Sequence, residues 1–253
     1  MSRREIILKL FPEGHTKYSL SNDEDIKDVI CREAYKDIKR NLHNIGAADQ
    51  EKQEVFEMIN ISITEYFNKP AIKNQGEYDK WHGKICDSII NKLKSVITND
   101  MTYGKAQKLL NMTMKHLYCF SDANEEYFKY CHIPVDSNVI WWYNKYSGNS
   151  FKTEWTKMKK ENYTDFQNNM RDFLESENNN ILRYENEPFT LLESDFVIWK
   201  MKDLIYACDL FEKSYNNLNE FKDWQMFKGS EVDENIKKVY GCSKILSCNI
   251  DRN

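Results

Sequence analysis

The chain has 253 residues, a formal net charge of −4 and 41% hydrophobic residues, enough for a sizeable core in one large domain or two small ones. The acidic balance excludes a global basic field for nucleic acid, so such a partner requires a local patch, and no run of roughly 18 apolar residues exists to span a membrane. Seven cysteines, odd in number and without a CxxC pair, exclude a zinc or iron–sulfur pattern and point to a reducing cytosol, with no metal or other cofactor expected.

Glycine and proline are scarce and no strand-like alternation persists, so the expected fold class is all-α. The opening MSRREIILKLFPEG is too short, and too polar after Phe11, for a signal peptide. Residues 1–20 carry no clear element. Ser21-Asn22-Asp23-Glu24 is a capping box that opens a helix with Ile26, Val29, Ile30, Ala34, Ile38 and Leu42 at helical spacing, closed by Gly46. A second helix is expected over Asp49–Phe67, with Val55, Ile59, Ile63 and Phe67 inside and Pro70 beyond it. After a polar turn at Asn74-Gln75-Gly76, a third runs over Tyr78–Ile97 on a stripe of Trp81, Ile85, Ile89, Leu93 and Val96. Trp81-His82 at its start reads as packing.

Residues 102–137 organise the rest. On a helix starting there, Gly104, Lys108, Asn111, Lys115 and Tyr118 fall within roughly an 80° arc. The other side, Ala106, Leu109, Leu110, Thr113, Met114 and Leu117, reads as a buried face. Two lysines seven residues apart stack about two turns from each other. Either they snorkel to water, or they form a site in which burial and like charge lower one pKa and make an amine nucleophile. His116 is expected to face away. An acidic loop, Ser121 to Tyr127, follows, then the turn Ile133-Pro134-Val135-Asp136. Asp136 or Ser137 suits the N-cap of the next helix, and a carboxylate held there stays ionised and can face the lysines. The aromatic run Trp141-Trp142-Tyr143 is either core packing or a stacking face.

Residues 147–163 form a polar connection. Its Lys152, Lys157, Lys159 and Lys160 around Trp155 make the best basic patch, either a solvated face or phosphate contacts. A short helix, Thr164–Glu175, buries Phe166, Met170 and Phe173 or Leu174. Pro188 precedes a long helix over Leu191–Asn216 with Phe196, Trp199, Leu204, Ala207 and Leu210 inside. Glu193 and Asp195 read as first-turn acids favoured by the helix dipole. A last helix is expected around Glu231–Tyr240.

A glycine and lysines opening a helix, followed by a Pro-Val-Asp turn, resembles the helix-hairpin-helix DNA glycosylases, and most closely the archaeal 8-oxoguanine DNA glycosylases. The resemblance covers about 40 residues, Lys108, Lys115 and Ile133-Pro134-Val135-Asp136 among them. It implies Lys108 as nucleophile and Asp136 as its electrostatic partner. Lys115 and Asn111 would then meet the base, Trp141 or Trp142 would stack on it, and Gly104, Lys105, Lys157 and Lys159 would contact DNA. The family's hairpin has two glycines where this chain has only Gly104. Lys105, just after it, is a rival nucleophile. The implied architecture is one helical domain over 1–253 with two lobes around a groove (1–100 with 190–253, and 101–189). The implied activity is a monomeric glycosylase with β-lyase chemistry on DNA carrying an oxidised or modified purine. The reading of another class is a helical module that binds nucleic acid or protein without catalysis.

Overall fold

The computed structural model describes residues 3–9, 24–39, 49–94, 101–121, 123–179, 181–184, 186–202 and 205. The chain divides into two compact units, Met1–Ile198 and Trp199–Asn253, the second almost wholly outside those residues. The elements are α1 (Arg3–Lys9), α2 (Glu24–Lys39), α3 (Asp49–Phe67), α4 (Gln75–Lys94), α5 (Tyr103–Phe120), α6 (Ser137–Tyr146), α7 (Lys160–Glu175) and α8, helical over 191–202. Short 3₁₀ turns lie at Glu125–Phe128 and Trp155–Lys157. The described strands are two-residue segments, Arg183–Tyr184 and Glu187–Pro188, paired antiparallel with Asn186 at φ 70° between them. The described residues are thus helical, as expected from the pattern. None of their helices is long and apolar enough to cross a membrane.

Helix α5 is the centre. It packs against α2, α4, α7 and both 3₁₀ turns. Consequently it is buried on every side: from Tyr103 to Cys119 all residues but His116 are buried. The sequence suggests one apolar face, with Lys108, Asn111 and Lys115 on the other as either a solvated stripe or a site. Enclosure instead forces Gln107, Lys108, Asn111, Thr113 and Lys115 to find partners inside the protein, since an unpaired buried polar group costs several kcal/mol. Thr102 caps the start by accepting from Lys105 N at 3.3 Å. Arg4 closes the other end, its guanidinium donating to the carbonyls of Tyr118, Ser121 and Ala123 and lying 5.0 Å over the Tyr118 ring. That tie gives α1, which no periodic stripe or cap announces, its place.

Several expectations shift. Helix α4 starts three residues early because Asn74 caps it: Glu77 N donates to Asn74 Oδ1 (3.0 Å) and Asn74 Nδ2 to Glu77 Oε1 (2.8 Å). Its buried side carries Tyr78 and His82, while Trp81 is half-buried. In α2, Val29 is exposed and Ile30, Cys31, Ala34, Tyr35 and Ile38 are buried. In α3, Tyr66 rather than Phe67 is fully inside. Helix α7 begins at Lys160 rather than Thr164, with Lys159 at its N-cap. The capping box at 21–23, Leu42, Gly46, Val96, Leu204, Ala207, Leu210 and the helix at 231–240 lie outside the described residues.

Gly104 is demanded by packing. A Cβ there would sit 1.7 Å from the carbonyl oxygen of Trp155. Its N–H donates to Met158 O at 3.0 Å, so the Trp155–Met158 segment lies directly on α5.

Candidate functional site

The turn before α6 delivers one carboxylate to α5. Pro134 and Val135 are buried, and Asp136 leaves the turn extended (φ −143°, ψ −175°) as the N-cap of α6. Its Oδ1 accepts from Asn138 N (2.8 Å) and Val139 N (3.0 Å). Its Oδ2 accepts from Lys108 Nζ at 2.7 Å, and both side chains are less than a tenth exposed. The two readings of Asp136, cap and lysine partner, therefore coexist in one side chain.

Lys115 does not press on Lys108. It is paired with Asp195 of α8, in a contact buried on both sides, with its ammonium 4.6 Å over the Phe196 ring. In sequence Asp195 reads as a helix-dipole acid. That role belongs to Glu193, which accepts from Thr190 N (2.8 Å) while Thr190 Oγ1 accepts from Glu193 N (3.2 Å). Glu193 also accepts from the Tyr118 hydroxyl at 3.1 Å. The signal for Asp195 was available. It sits among the buried positions Leu191, Leu192, Phe196 and Ile198, where an acid needs a buried cation.

The four charges influence one another. Burial alone would lower the Lys108 pKa, but the carboxylates of Asp136 and Asp195 and the hydrogen bond overcome it and hold it above the ordinary lysine range. Burial pushes Asp136 up, yet the Lys108 charge and the hydrogen bonds from Lys108 and the α6 backbone hold it below the usual carboxylate range. Asp195 goes the other way: burial raises it, against Lys115 and Lys108, and its Oδ1 has no hydrogen-bond partner. Lys108 thus rests as an ammonium, not as the neutral amine that like-charge repulsion was expected to produce. Lys115 fails to depress it because Asp195 takes up its charge.

Asn111 turns away from this pair. Its Nδ2 lies 2.9 Å from Gln107 Oε1, 2.8 Å from the Tyr163 hydroxyl and 3.2 Å from Ile133 O, and its Oδ1 meets His82 Nε2 at 2.9 Å. Two glutamines grip the same turn as a neighbouring strand would. Gln107 donates to Val135 O (2.8 Å) and accepts from Val135 N (3.2 Å); Gln167 does likewise with Ile133 (2.9 and 3.3 Å). Behind them runs Asp79–His132–Tyr163: His132 Nε2 is 2.8 Å from Asp79 Oδ1, and His132 Nδ1 is 2.8 Å from the Tyr163 hydroxyl. Burial holds both imidazoles, His82 and His132, below their ordinary range, Asp79 pulling His132 back only in part. A neutral His132 then donates to Asp79 and accepts the Tyr163 proton. Nothing local in the sequence marks this network; its members come from α4, α5, α7 and the turn.

The other anticipated residues separate. Trp142 is fully buried against Tyr146 and Phe173, because that face of α6 packs inward, so it offers no stacking surface. Trp141 is exposed, with the Lys145 ammonium 5.1 Å over its ring. Lys105 is buried and is not joined to Asp136; the buried amide of Gly104 is already committed to Met158. Neither is placed for a backbone phosphate. In the basic patch Lys157 pairs with Glu154 (2.8 Å) and Lys160 with Asp87 (2.7 Å), while Lys152 and Lys159 are exposed. His116 faces α2, 3.6 Å from Asp37. Among the described residues no group of three or more His, Cys, Asp or Glu is arranged to hold a metal ion. The described cysteines, Cys31, Cys86, Cys119 and Cys131, are all buried. No family model, curated protein or solved structure matches the chain.

Proposed function

We propose that the chain is a DNA glycosylase with β-lyase activity, acting on an oxidised or modified purine such as 8-oxoguanine. The observation that carries the reading is the Lys108–Asp136 pair: amine and carboxylate 2.7 Å apart, the carboxylate fixed by the first turn of α6. A lysine beside an ionised carboxylate supplies both halves of the chemistry, a nucleophile for C1′ and a negative charge for the cation that forms there. The target nucleotide is extruded, at a cost of a few kcal/mol of unstacking. Lys108 begins as an ammonium, so its proton passes to the departing base, which needs one. The freed amine bonds to C1′ as the C1′–N bond to the base breaks, and Asp136 stabilises the positive sugar. Ring opening gives an imine; loss of a C2′ proton then expels the 3′ phosphate. We assign the unpartnered Asp195 Oδ1 as the acceptor for a purine N–H.

A structural reading competes, favoured by one observation: both lysines are buried and ion-paired, which a helical binding module also uses to fix the packing of α5. Borohydride trapping on duplexes carrying 8-oxoguanine or an abasic site separates the two. A covalent adduct lost in Lys108→Gln supports the enzyme; no adduct and no base release on any duplex supports the module.

A further inference from the structure

We propose that the cleft between α4 and α7 is a binding site for a phosphate monoester, separate from the Lys108–Asp136 pair. The cleft measures about 660 Å³, within the range of small-molecule sites and far larger than a phosphate alone. Its charged lining comprises four cations, Lys80, Lys84, Lys160 and Arg171, against two carboxylates, Asp79 and Asp87. Both carboxylates are already engaged, Asp79 with His132 and Asp87 with Lys160. Lys80, Lys84 and Arg171 have no carboxylate partner within ion-pair distance among the described residues. The excess of two positive charges matches the charge of −1.5 to −2 that a phosphate monoester carries near pH 7.

Arg171 gives the site its specific feature. Its Nη1 donates to Asn168 Oδ1 at 2.9 Å, which fixes the guanidinium plane. Its Nη2 is shielded from solvent and has no hydrogen-bond partner. Arg171 as a whole is half-buried on the cleft wall, so its guanidinium has donors left for a ligand, and a phosphate oxygen is the acceptor that guanidinium geometry fits best. The remaining volume is backed by rings. Tyr103 lines the cleft with the Lys160 ammonium 5.7 Å over it, and Tyr163 stacks on His82 behind (5.4 Å, 9°). The ester's body is therefore a planar or cyclic group of nucleoside size. Two sources share that chemistry, a free nucleoside monophosphate and the phosphorylated end of a DNA strand.

The test uses the full chain and isothermal titration at low ionic strength. Deoxyguanosine 5′-monophosphate is expected to bind at one site per chain, about tenfold or more tighter than deoxyguanosine. Arg171→Gln is expected to weaken it about tenfold, and the exposed Lys84→Gln a few-fold, whereas Lys36→Gln on α2, with the same charge change, leaves it intact. Because Lys84 is exposed, its replacement keeps the test sound if Arg171→Gln folds poorly. Competition by a 5′-phosphorylated oligonucleotide, but not by its 5′-hydroxyl form, assigns the site to strand ends; no competition assigns it to free nucleotides. Equal binding of nucleotide and nucleoside, no binding of either, or Lys84→Gln and Arg171→Gln indistinguishable from Lys36→Gln would overturn the proposal.

Discussion

Replacing Asp136 with alanine removes two things at once, the cap of α6 and the counter-ion of a buried ammonium. The cap contributes about 1 kcal/mol. Breaking a buried ion pair by removing one partner costs about 3–5 kcal/mol. An upper bound follows from proton chemistry. An unpaired Lys108 escapes by losing its proton, which at pH 7 costs about 4.6 kcal/mol for a free lysine pKa of about 10.4 at 1.36 kcal/mol per unit. Asp136→Ala is therefore expected to destabilise the protein by about 4–5.5 kcal/mol. Asp136→Asn, which keeps a capping oxygen, should cost about 1 kcal/mol less. Adding Lys108→Met to Asp136→Asn removes the stranded charge and should recover about 2 kcal/mol or more, a coupling typical of contacting residues. Urea unfolding of the wild type, Asp136→Ala, Asp136→Asn, Lys108→Met and the double variant measures this, provided m is unchanged. Alanine and asparagine variants within about 0.5 kcal/mol of the wild type, or an additive double variant, would refute the reasoning.

The pair also sets a pH window. Asp136, held below its unfolded value, stabilises above about pH 3.9 and loses that contribution as pH falls through its folded pKa; Lys108, held above its own, stabilises below about pH 10.4 and loses it as pH rises through its folded pKa. The stability difference between wild type and the double variant should thus be flat in between and shrink at both ends in pH-dependent melts. In catalysis, Asp136→Asn should abolish base release by about a hundredfold or more while an abasic site is still trapped, because the lysine amine remains; equal losses in both assays would count against separate roles. Gly104→Ala should cost about 3 kcal/mol in thermal unfolding, since its Cβ meets the Trp155 carbonyl at 1.7 Å and backbone must move. Trp142→Ala should cost about 3–5 kcal/mol as a core truncation, and the exposed Trp141→Ala under about 1 kcal/mol; the reverse order would mean that α6 is rotated.

How much of this was legible in the sequence differs from element to element. Helix α3 matches its expected bounds, Asp49 to Phe67, because a clear 3.6-residue stripe ends just before Pro70. The meeting of Lys108 with Asp136 was anticipated from the lysine spacing and a good N-cap residue after a proline turn. The burial of α5 was not legible. Asn111 and Lys115 read equally as a solvated stripe or a site until five other elements are seen to enclose them, and Gln107 carries no sequence signal at all. For the same reason the ionisation of Lys108 was misjudged: its nearest opposing charges come from positions 136 and 195, and only the fold brings both to it. Arg4 and the Asp79–His132–Tyr163 network carry no periodic or capping signature, so sequence pattern offered no handle on them. The two tryptophans of α6 are neighbours in sequence, and the helical rotation of about 100° between them decides which is core.

Borohydride trapping is the most direct test of the central claim, that the Lys108 amine bonds to the sugar of a damaged nucleotide. The protein is incubated with duplexes carrying 8-oxoguanine, uracil, an alkylated base or an abasic site, then reduced. The account predicts a covalent protein–DNA band that survives in Lys105→Gln and disappears in Lys108→Gln. A band that persists in Lys108→Gln, or no band and no released base on any of the duplexes, would contradict it.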